Sequence, residues 1–360
     1  MKTPSWNGGA CVLGLLAAAA CSDGRPHDAT PSPAGGGAPG GATAGGSGAA
    51  SGGSSPPSSL EDGGAPRASG GDDASAPSAP VDAGGEDAND ATAKPPPVGG
   101  YLLSADGVTD TYTLLGEALG GTPIDGPDCS HTAFGHHIGQ SLDADLGTNV
   151  FDFFIHATPD NDRCSAFDRQ RNEIKVYDSS AANLKAASGD TVAYQWKFKL
   201  DAGFQPSPDF CHIHQIKGGD GAGAGGAPVF TITPRHGSPD VLQVIYSSPA
   251  QAETFLTSTP LAPFLGTWVE ANEVITYNAS GNGSYALTLS RLKDGQTLLT
   301  YSSTSLQTWA VSTTASPTTY CRPKWGIYRS LNSPTYLRDE DVKFNDFCVA
   351  KGGSCPKDLP

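Results

Sequence analysis

Downstream of position 100 the chain alternates between apolar and polar residues in short runs, and turn residues separate most of these runs. Gly218-Gly219-Asp220 and Asp294-Gly295 are examples of the breaks. Alternation with a period of two is typical of strands buried on one face, and no long run repeats with the period of a helix. The predicted strands span 149–157, 172–178, 191–200, 210–217, 228–235, 240–247, 266–277, 283–292, 324–330 and 342–350. With one short helix over 111–119, the pattern predicts an all-β, two-sheet sandwich of the jelly-roll kind.

The N-terminus has the pattern of an export signal. Lys2 precedes an apolar run over 10–20, which is too short to span a membrane and has the length of a signal-peptide core. Residues 1–20 are therefore predicted to be a signal peptide. The sequence AAAC at 18–21 resembles a bacterial lipobox, which predicts a lipid anchor at Cys21. Ordinary cleavage with free secretion is the alternative, so the expected location is the outer membrane or the extracellular space.

Residues 21–99 consist almost entirely of Gly, Ala, Ser, Pro and Asp. Such a composition cannot bury enough apolar area to offset the conformational entropy lost on ordering. We expect a disordered linker followed by one folded domain, residues 100–360. Acidic residues of the linker contribute to the formal net charge of -15, so that charge says little about the surface of the folded domain.

Six of the 8 cysteines lie in the predicted folded domain. An even number of cysteines in an exported protein favours disulfides. A bridge between Cys348 and Cys355 would close a small C-terminal loop. A bridge between Cys129 and Cys164 would tie the N-terminal part of the domain beside the charged strand, and Cys211 with Cys321 then remains as a hypothesis. Metal binding by cysteine is the competing interpretation, but the chain has no C-x-x-C pair.

Three of the predicted strands carry charged, imidazole and phenol side chains that share a strand face. Residues of the same parity point to the same side of a strand. The aligned residues are Arg171, Glu173 and Lys175 in RNEIK (171–175), His212 and His214 in FCHIHQIK (210–217), and Lys324, Gly326 and Tyr328 in KWGIY (324–328). Together they predict a cationic groove that bears a histidine and a tyrosine, and such a groove suits an anionic polymer.

The three stretches resemble the signature strands of the β-jelly-roll polysaccharide lyases, the group of alginate and glucuronan lyases. The patterns of that group are R-[ST]-E-L-R, Q-I-[HV] and K-x-G-x-Y, in the same chain order as RNEIK, HIH and KWGIY here. At the second pattern, His212 stands where a glutamine is usual. In an alternative alignment Gln215-Ile216-Lys217 holds the register and a lysine replaces the histidine. We prefer the first alignment because it keeps a histidine at 214. The resemblance implies a concanavalin A-like sandwich with lyase activity.

Such a lyase cleaves a 4-linked uronic-acid polymer, glucuronan-like or alginate-like, by β-elimination. The C5 proton of the sugar is hardly acidic while the neighbouring carboxylate stays negative, so a donor or cation must neutralise that carboxylate. Arg171 is the candidate, together with His212 or an amide such as Gln195 or Asn172. The expected partner is therefore an anionic polysaccharide and not a nucleic acid.

Tyr328 and His214 are the candidates for the base and the acid of the elimination. Where the proton and the leaving oxygen O4 lie on the same face of the sugar, Tyr328 alone could take and return the proton. The cations Lys324 and Arg171 would raise the acidity of its phenol. Where the two groups lie on opposite faces, His214 would be the base and Tyr328 the acid.

The remaining polar residues are expected to support this chemistry. Glu173 is expected to orient Arg171 or His214. The cations expected to bind carboxylates of the polymer are Lys175, Lys217, Lys324 and Arg329.

Two other classes of function compete with the lyase. A non-catalytic carbohydrate-binding sandwich on a tether needs aromatic platforms but no aligned His, Tyr and Arg. A jelly-roll glycoside hydrolase ranks lower, because the chain lacks an E-x-D-x-x-E strand. We expect no cofactor, no metal ion and a monomer, and Gly135-His136-His137 and Asp160-Asn161-Asp162 are interpreted as loop features.

Overall fold

The computed structural model describes residues 100–219, 227–247, 253–309 and 318–355. The predicted signal peptide (1–20), the lipobox cysteine Cys21 and the linker (21–99) lie outside the described residues. In the part of the chain that is described, no helix combines the length and the apolar character needed to cross a membrane.

Strands dominate the described residues. In chain order they are β1 (Tyr101–Leu103), β2 (Ile124–Asp125), β3 (Ile138–Asp143), β4 (Thr148–Ile155), β5 (Arg169–Lys175), β6 (Thr191–Lys199), β7 (Cys211–Gly219), β8 (Phe230–Arg235), β9 (Val241–Ser247), β10 (Glu253–Pro260), β11 (Trp268–Thr276), β12 (Gly283–Arg291), β13 (Gln296–Leu306), β14 (Tyr320–Ser330) and β15 (Glu340–Lys351). Helix α1 (Thr111–Leu119) lies between β1 and β2, and short 3-10 helices cover Ala182–Leu184, Ala262–Phe264 and Pro334–Tyr336.

The strands form two antiparallel sheets. One sheet has the order β13-β12-β11-β6-β15-β4-β3, with β1 also paired to β15. The other has the order β10-β9-β8-β7-β14-β5-β2. The two sheets pack as a sandwich, so the prediction of an all-β, two-sheet fold is confirmed.

Large apolar side chains fill the space between the two sheets. Trp196 and Phe198 of β6 and Phe344 of β15 meet Trp325 and Ile327 of β14, and all five are fully buried. The ring centroids of Trp196 and Trp325 are 6.2 Å apart in an edge-to-face arrangement. Because alternate residues of a strand point to opposite faces, the same strands turn their polar residues away from this core.

Helix α1 is stabilised at its start by a side-chain cap. The carboxylate of Asp110 accepts a hydrogen bond of 3.0 Å from the backbone N–H of Thr113. Leu115 and Leu119 of the helix are buried in the core. The helix predicted over 111–119 is therefore confirmed.

The strands β7, β14 and β5 lie side by side in their sheet, and β5 is next to the edge strand β2. Between β5 and β14 the opposed pairs are Lys175 with Lys324, Glu173 with Gly326 and Arg171 with Tyr328. This register is unbroken over the whole of β5. The parity argument from RNEIK and KWGIY is therefore confirmed for these two strands.

The pairing of β14 with β7 contains an irregularity. His214 lies opposite Trp325, but His212 lies opposite Tyr328, so a step of two residues on β7 faces a step of three on β14. Such a β-bulge interrupts the alternation of side chains. As a result Ile213 and His214 both point into the core, whereas His212 and Gln215 point to the other face.

Two of the expected disulfides are present, Cys129–Cys164 and Cys348–Cys355. The hypothesis of a Cys211–Cys321 bridge is wrong. Cys211 lies opposite Arg329 at one end of the β7–β14 pair, and Cys321 lies opposite Gly218 at the other end. Eight residues of strand separate these positions on β14, which is roughly 26 Å, and a disulfide needs Cα atoms within about 7 Å.

Gly326 allows the close approach of β5 and β14. Its φ is +140°, and a Cβ at this position would lie 2.6 Å from the Cα of Glu173 and closer still to the carbonyl oxygen of Asn172. The glycine therefore does not open space for a ligand. It lets the backbone of β5 pass directly beside β14.

We expect Gly326→Ala to lower the free energy of unfolding by at least about 2 kcal/mol, because the added methyl group meets backbone atoms and the φ is unfavourable. Urea unfolding followed by fluorescence measures the change. Gly116→Ala is the control: no atom lies within 4 Å of its Cβ position, and the residue is helical. That change should raise stability by about 0.5–1 kcal/mol. A Gly326→Ala protein as stable as the wild type would contradict the close approach.

Candidate functional site

The face of the seven-stranded sheet that points away from the core carries a connected set of polar side chains. Three strands contribute: β5, β14 and β7. We call this set the polar face; its members are Arg171, Glu173, Lys175, His212, Gln215, Lys324 and Tyr328.

Glu173 lies at the centre of the polar face and is fully buried. Its Oε2 accepts hydrogen bonds from Lys324 Nζ at 2.5 Å and from Arg171 Nη1 at 3.1 Å. Its Oε1 accepts a short hydrogen bond from the amide of Gln215. Burial alone would raise the pKa of Glu173, but Lys324 and Arg171 outweigh it and hold the pKa below its ordinary value.

Arg171 is fixed from the other side by Asp162, which belongs to the segment between β4 and β5. The Nε and Nη2 atoms of Arg171 donate to the two carboxylate oxygens of Asp162, both at 3.0 Å. Such a two-point contact fixes the plane of the guanidinium group. Burial would lower the pKa of Arg171, but the surrounding negative groups, Glu173 first among them, raise it.

The carboxylate of Asp125, on the edge strand β2, compensates the positive charges of Lys175 and Lys324. Its Oδ1 accepts from Lys175 Nζ at 2.7 Å, and its Oδ2 lies 3.3 Å from Lys324 Nζ. Burial opposes ionisation of Asp125, yet Lys324 and Lys175 keep its pKa below the ordinary value. Burial, aided by the nearby Arg171, lowers the pKa of Lys324 to about 8.

The charges of Arg171, Lys175 and Lys324 are therefore compensated, whereas the buried Arg322, which shares their face of the sheet, donates to the backbone oxygen of Val176. Three cations, Arg171, Lys175 and Lys324, are paired with three carboxylates, those of Asp125, Asp162 and Glu173. The expectation of a strongly cationic groove does not hold for these residues. Lys175 and Lys324, expected to bind the polymer, and Glu173, expected to orient Arg171 or His214, contact other protein groups and have 8%, 2% and 0% of their surface exposed.

Tyr328 lies between two guanidinium groups. Arg169 Nη1 donates a hydrogen bond of 2.9 Å to the phenolic oxygen, and Arg171 Cζ lies 3.8 Å from the centre of the ring. Phe210 covers the ring with a centroid distance of 4.8 Å. The tyrosine is 2% exposed, so its neighbours cover it almost completely.

His212 is the histidine that accompanies Tyr328. Their ring centroids are 5.9 Å apart, and the Nδ1 of His212 lies 2.7 Å from the hydroxyl oxygen of Thr233. Phe210 stacks on the imidazole at 5.4 Å. His212 is partly exposed, so this ring is the more accessible of the two.

Gln215 and Lys217 occupy the positions that the alternative alignment assigned to them. Gln215 lies opposite Lys324 and bonds Glu173, and Lys217 lies opposite Arg322 with part of its surface exposed. Gln215 and Lys217 therefore share the outward face of β7, whereas His212 and His214 do not share a face.

His214 does not share the face of Tyr328, contrary to the prediction. Its ring is fully buried in the core, 4.2 Å from the ring of Trp196, and its Nε2 lies 3.0 Å from the carboxylate of Glu273. The bulge between β7 and β14 is the reason, because it turns His214 inward. A direct role of His214 at the polar face is excluded by this position.

Two further predicted site residues lie elsewhere. Gln195 belongs to β6 of the other sheet, opposite Asn272, between the core residues Tyr194 and Trp196, so it faces outward on the far side of the sandwich. Arg329 has the opposite parity to Tyr328 and is fully buried, with its Nε donating to Gln170 Oε1 at 2.8 Å. Burial lowers the pKa of Arg329.

No protein-family model matches the chain, and no curated protein matches it significantly. Solved structures similar to it include an endo-β-1,4-glucuronan lyase from Trichoderma reesei, at 17% identity over 59% of this chain and 86% of that one, with a TM-score of 0.40. An alginate lyase from Aplysia kurodai is 12% identical over 70% of this chain and 98% of that one, with a TM-score of 0.46. An alginate lyase from Pseudomonas aeruginosa is 13% identical over 63% of this chain and 96% of that one, with a TM-score of 0.41. Likeness at these values does not identify the family of the chain.

Three residues of the site escaped the sequence prediction. Arg169 is two residues before Arg171 and therefore points to the same face of the strand, so alternation along the sequence could have identified it. Asp125 and Asp162 come from a two-residue edge strand and from a connecting segment, where no periodicity exists to assign a face. Within the described residues, one group of side chains could hold a metal ion; it comprises His131, His137, His156 and Asp160.

We expect His214→Ala to lower the free energy of unfolding by about 3 kcal/mol or more, because it leaves a cavity and removes the partner of the buried Glu273. His212→Ala is the matched control at a partly exposed position, with an expected change within about 1 kcal/mol. Urea unfolding at neutral pH measures both. Equal stability of His214→Ala and wild type would contradict the buried position of this ring.

The lowered pKa of Asp125 predicts a pH dependence. A carboxylate whose pKa is lower in the folded than in the unfolded protein stabilises the fold above its unfolded pKa, which is about 3.9. This contribution is lost as the pH falls towards the folded value. We therefore expect the free energy of unfolding to fall between pH 5 and pH 3 more steeply in wild type than in Asp125→Asn. Asp294→Asn removes a carboxylate from an exposed turn, where solvent screens its contact with Arg291, and should therefore change the slope much less than Asp125→Asn; equal slopes in all three proteins would refute the prediction.

Proposed function

We propose that the protein is a polysaccharide lyase that cleaves a 4-linked uronic-acid polymer, glucuronan-like or alginate-like, by β-elimination. The observation that supports this most is the phenol of Tyr328 held between the guanidinium groups of Arg169 and Arg171, next to the imidazole of His212. Elimination needs a group that accepts a proton from carbon and a group that protonates the leaving oxygen. It also needs cations that stabilise the charge developing on the sugar carboxylate.

Tyr328 is the proposed proton carrier. Negative charge on its oxygen would be stabilised by Arg169, which already donates to that oxygen, and by Arg171 beneath the ring. In the elimination the tyrosinate takes the C5 proton, the C–H electron pair forms the C4=C5 double bond, and the C4–O4 bond breaks. O4 then receives a proton from the same phenol or from a second acid. No further reactant is required.

His212 is proposed as the second proton-transfer group, in place of His214. Its position 5.9 Å from the Tyr328 ring, on the same face and partly exposed, suits the route in which the C5 proton and O4 lie on opposite faces of the sugar. The contact with Thr233 would orient the ring. Where both groups lie on one face, Tyr328 would act alone.

Arg169 and Lys217 are the proposed contacts for substrate carboxylates, because both lie on this side of the sheet and keep part of their surface exposed. A substrate carboxylate would compete with the phenolic oxygen for the Arg169 guanidinium and so uncover Tyr328. Arg171, Glu173, Lys175, Gln215 and Lys324 would then support the phenol from beneath without touching sugar.

We also propose that this chemistry takes place outside the cytoplasm. The apolar segment at 10–20 and the lipobox-like AAAC at 18–21 support an export signal, with Cys21 as the proposed lipid anchor and the linker as a tether. The two disulfides suit an oxidising compartment.

A non-catalytic carbohydrate-binding sandwich is the second candidate. It is favoured by the burial of Tyr328 and by the ion pairs among the buried charges. With both features the site would bind a polysaccharide but would not cleave it. The two functions differ in their products. A lyase forms an unsaturated uronate that absorbs in the ultraviolet, whereas a binding domain forms no product.

The test is the ultraviolet absorbance of glucuronan and of mannuronate-rich and guluronate-rich alginate incubated with the full chain. We expect absorbance to rise with at least one polymer. Tyr328→Phe should lower the rate by at least about a hundredfold, the usual size of an acid–base contribution. The variant should remain folded, with a Tm lowered only by the loss of the hydrogen bond from Arg169.

Tyr301→Phe, on β13 of the other sheet, is the matched control and should keep the wild-type rate within about twofold, since surface changes far from a site have small effects. Full activity in Tyr328→Phe would reject the assigned role. Binding of a polymer without any rise in absorbance would favour the second candidate.

A further inference from the structure

Four side chains converge around Asp160, and the proposed lyase chemistry uses none of them. His131 comes from the segment between β2 and β3, His137 directly precedes β3, His156 directly follows β4, and Asp160 lies four residues further on. One nitrogen or oxygen atom from each lies within 4.8 Å of those from the others. The sequence interpretation of His137 and Asp160 as loop features, and of His156 as part of a strand, gave no reason for such a convergence.

Asp160 stands at the centre of the group, and its side chain is fully buried. Its Oδ1 is 3.0 Å from His131 Nδ1 and 3.3 Å from His137 Nε2, and its Oδ2 is 3.1 Å from His156 Nδ1. Three imidazoles thus direct a nitrogen towards one carboxylate. Imidazole and carboxylate groups at this spacing are the ligands that zinc takes in proteins.

His137 provides an independent indication of a ligand. It is fully buried, and its Nε2 points into the group, where the contact with Asp160 Oδ1 at 3.3 Å lacks the alignment of a hydrogen bond. Its other nitrogen, Nδ1, lies 3.0 Å from the carboxylate of Asp128. When Nδ1–H donates to Asp128, the Nε2 atom carries a lone pair directed at the centre. A histidine whose second nitrogen is held by a carboxylate is the usual form of a zinc-bound imidazole.

We propose that His131, His137, His156 and Asp160 bind a divalent transition metal ion, zinc, in a four-coordinate site. Small side-chain movements would bring the ligands to the usual zinc distances of about 2.0–2.1 Å. The nitrogen-rich ligand set disfavours calcium and magnesium, which take oxygen ligands. The carboxylates of Asp160 and Asp128 together match the 2+ charge of the ion.

The proposed site is structural rather than catalytic. Four protein ligands complete a tetrahedral shell and leave no position for substrate. Phe134 covers the group, with its ring centroid 4.7 Å from that of His137 and 4.4 Å from that of His156. This cover limits the access of water to the ion.

The ion would hold the segment that presents Asp162 to Arg171. Asp160 is two residues before Asp162, and its backbone oxygen accepts a hydrogen bond of 2.8 Å from Gln170 Nε2 on β5. The Cys129–Cys164 disulfide closes the same region covalently. We therefore expect the metal-free protein to remain folded, with a less rigid Asp162.

The test uses the full chain without a histidine tag, stripped with a chelator and then titrated with Zn²⁺ or Co²⁺. We expect one equivalent of tightly bound zinc by elemental analysis and a Tm that rises with zinc concentration. Co²⁺ should give the intense visible absorption of a tetrahedral complex. These readouts are independent of lyase activity, so they stand whether or not the proposed function is correct.

His131→Gln and His156→Gln should each weaken zinc binding by at least tenfold, and both rings are partly exposed, so the fold should tolerate their loss. Asp128→Asn should weaken it by about 10–100-fold through the orientation of His137. His236→Gln is the matched control, because His236 pairs with Asp240 far along the chain from the group. It should bind zinc like wild type.

Folding of each variant is checked by circular dichroism. Less than half an equivalent of zinc in the wild type, or wild-type affinity in both His131→Gln and His156→Gln, would overturn the proposal. Should a variant unfold, the Co²⁺ spectrum of the wild type decides, since a weak octahedral spectrum would equally reject the site.

Discussion

The buried carboxylate of Glu173 is the constraint on which the polar face depends. A carboxylate without solvent is tolerated only when charges and hydrogen bonds compensate it. Here Lys324 and Arg171 supply the charge, and Gln215 supplies the remaining hydrogen bond. These three groups come from β14, β5 and β7, so the interaction fixes the register of three neighbouring strands. The missing side chain at Gly326 permits it, because β5 can approach β14 at the position of Glu173.

Much of this arrangement was predictable from the alternation of residues. RNEIK and KWGIY lie in adjacent strands with Arg171, Glu173, Lys324 and Tyr328 on one face, as their parity requires. The same parity places Arg329 on the opposite face from Tyr328, so its assignment to the site was avoidable. Gln195 could not be assigned to a sheet from its own strand pattern, because alternation gives the two faces of a strand but not its neighbours.

The position of His214 was not predictable in this way. Side chains can be assigned to faces by their alternation only in a strand without a bulge. A short apolar run contains no clear sequence signal of a bulge. The acidic residues that complete the site, Asp125 and Asp162, lie where periodicity is absent. Their role follows from the ion pairs they form and becomes visible only in the folded structure. The same is true of the histidine group around Asp160, whose members are separated by loops and a strand pair.

The compensation among Arg171, Lys175, Lys324 and the three carboxylates also determines the range of the electrostatic field that these charges produce. Equal numbers of opposite charges produce a field that decays much faster than that of a net charge, and salt shortens it further. An approaching polyanion would therefore experience little electrostatic steering from this buried set. Its capture would depend on cations outside this compensated set, such as Arg169, Lys217 and Arg322, and its rate of association would fall as rising ionic strength screens them.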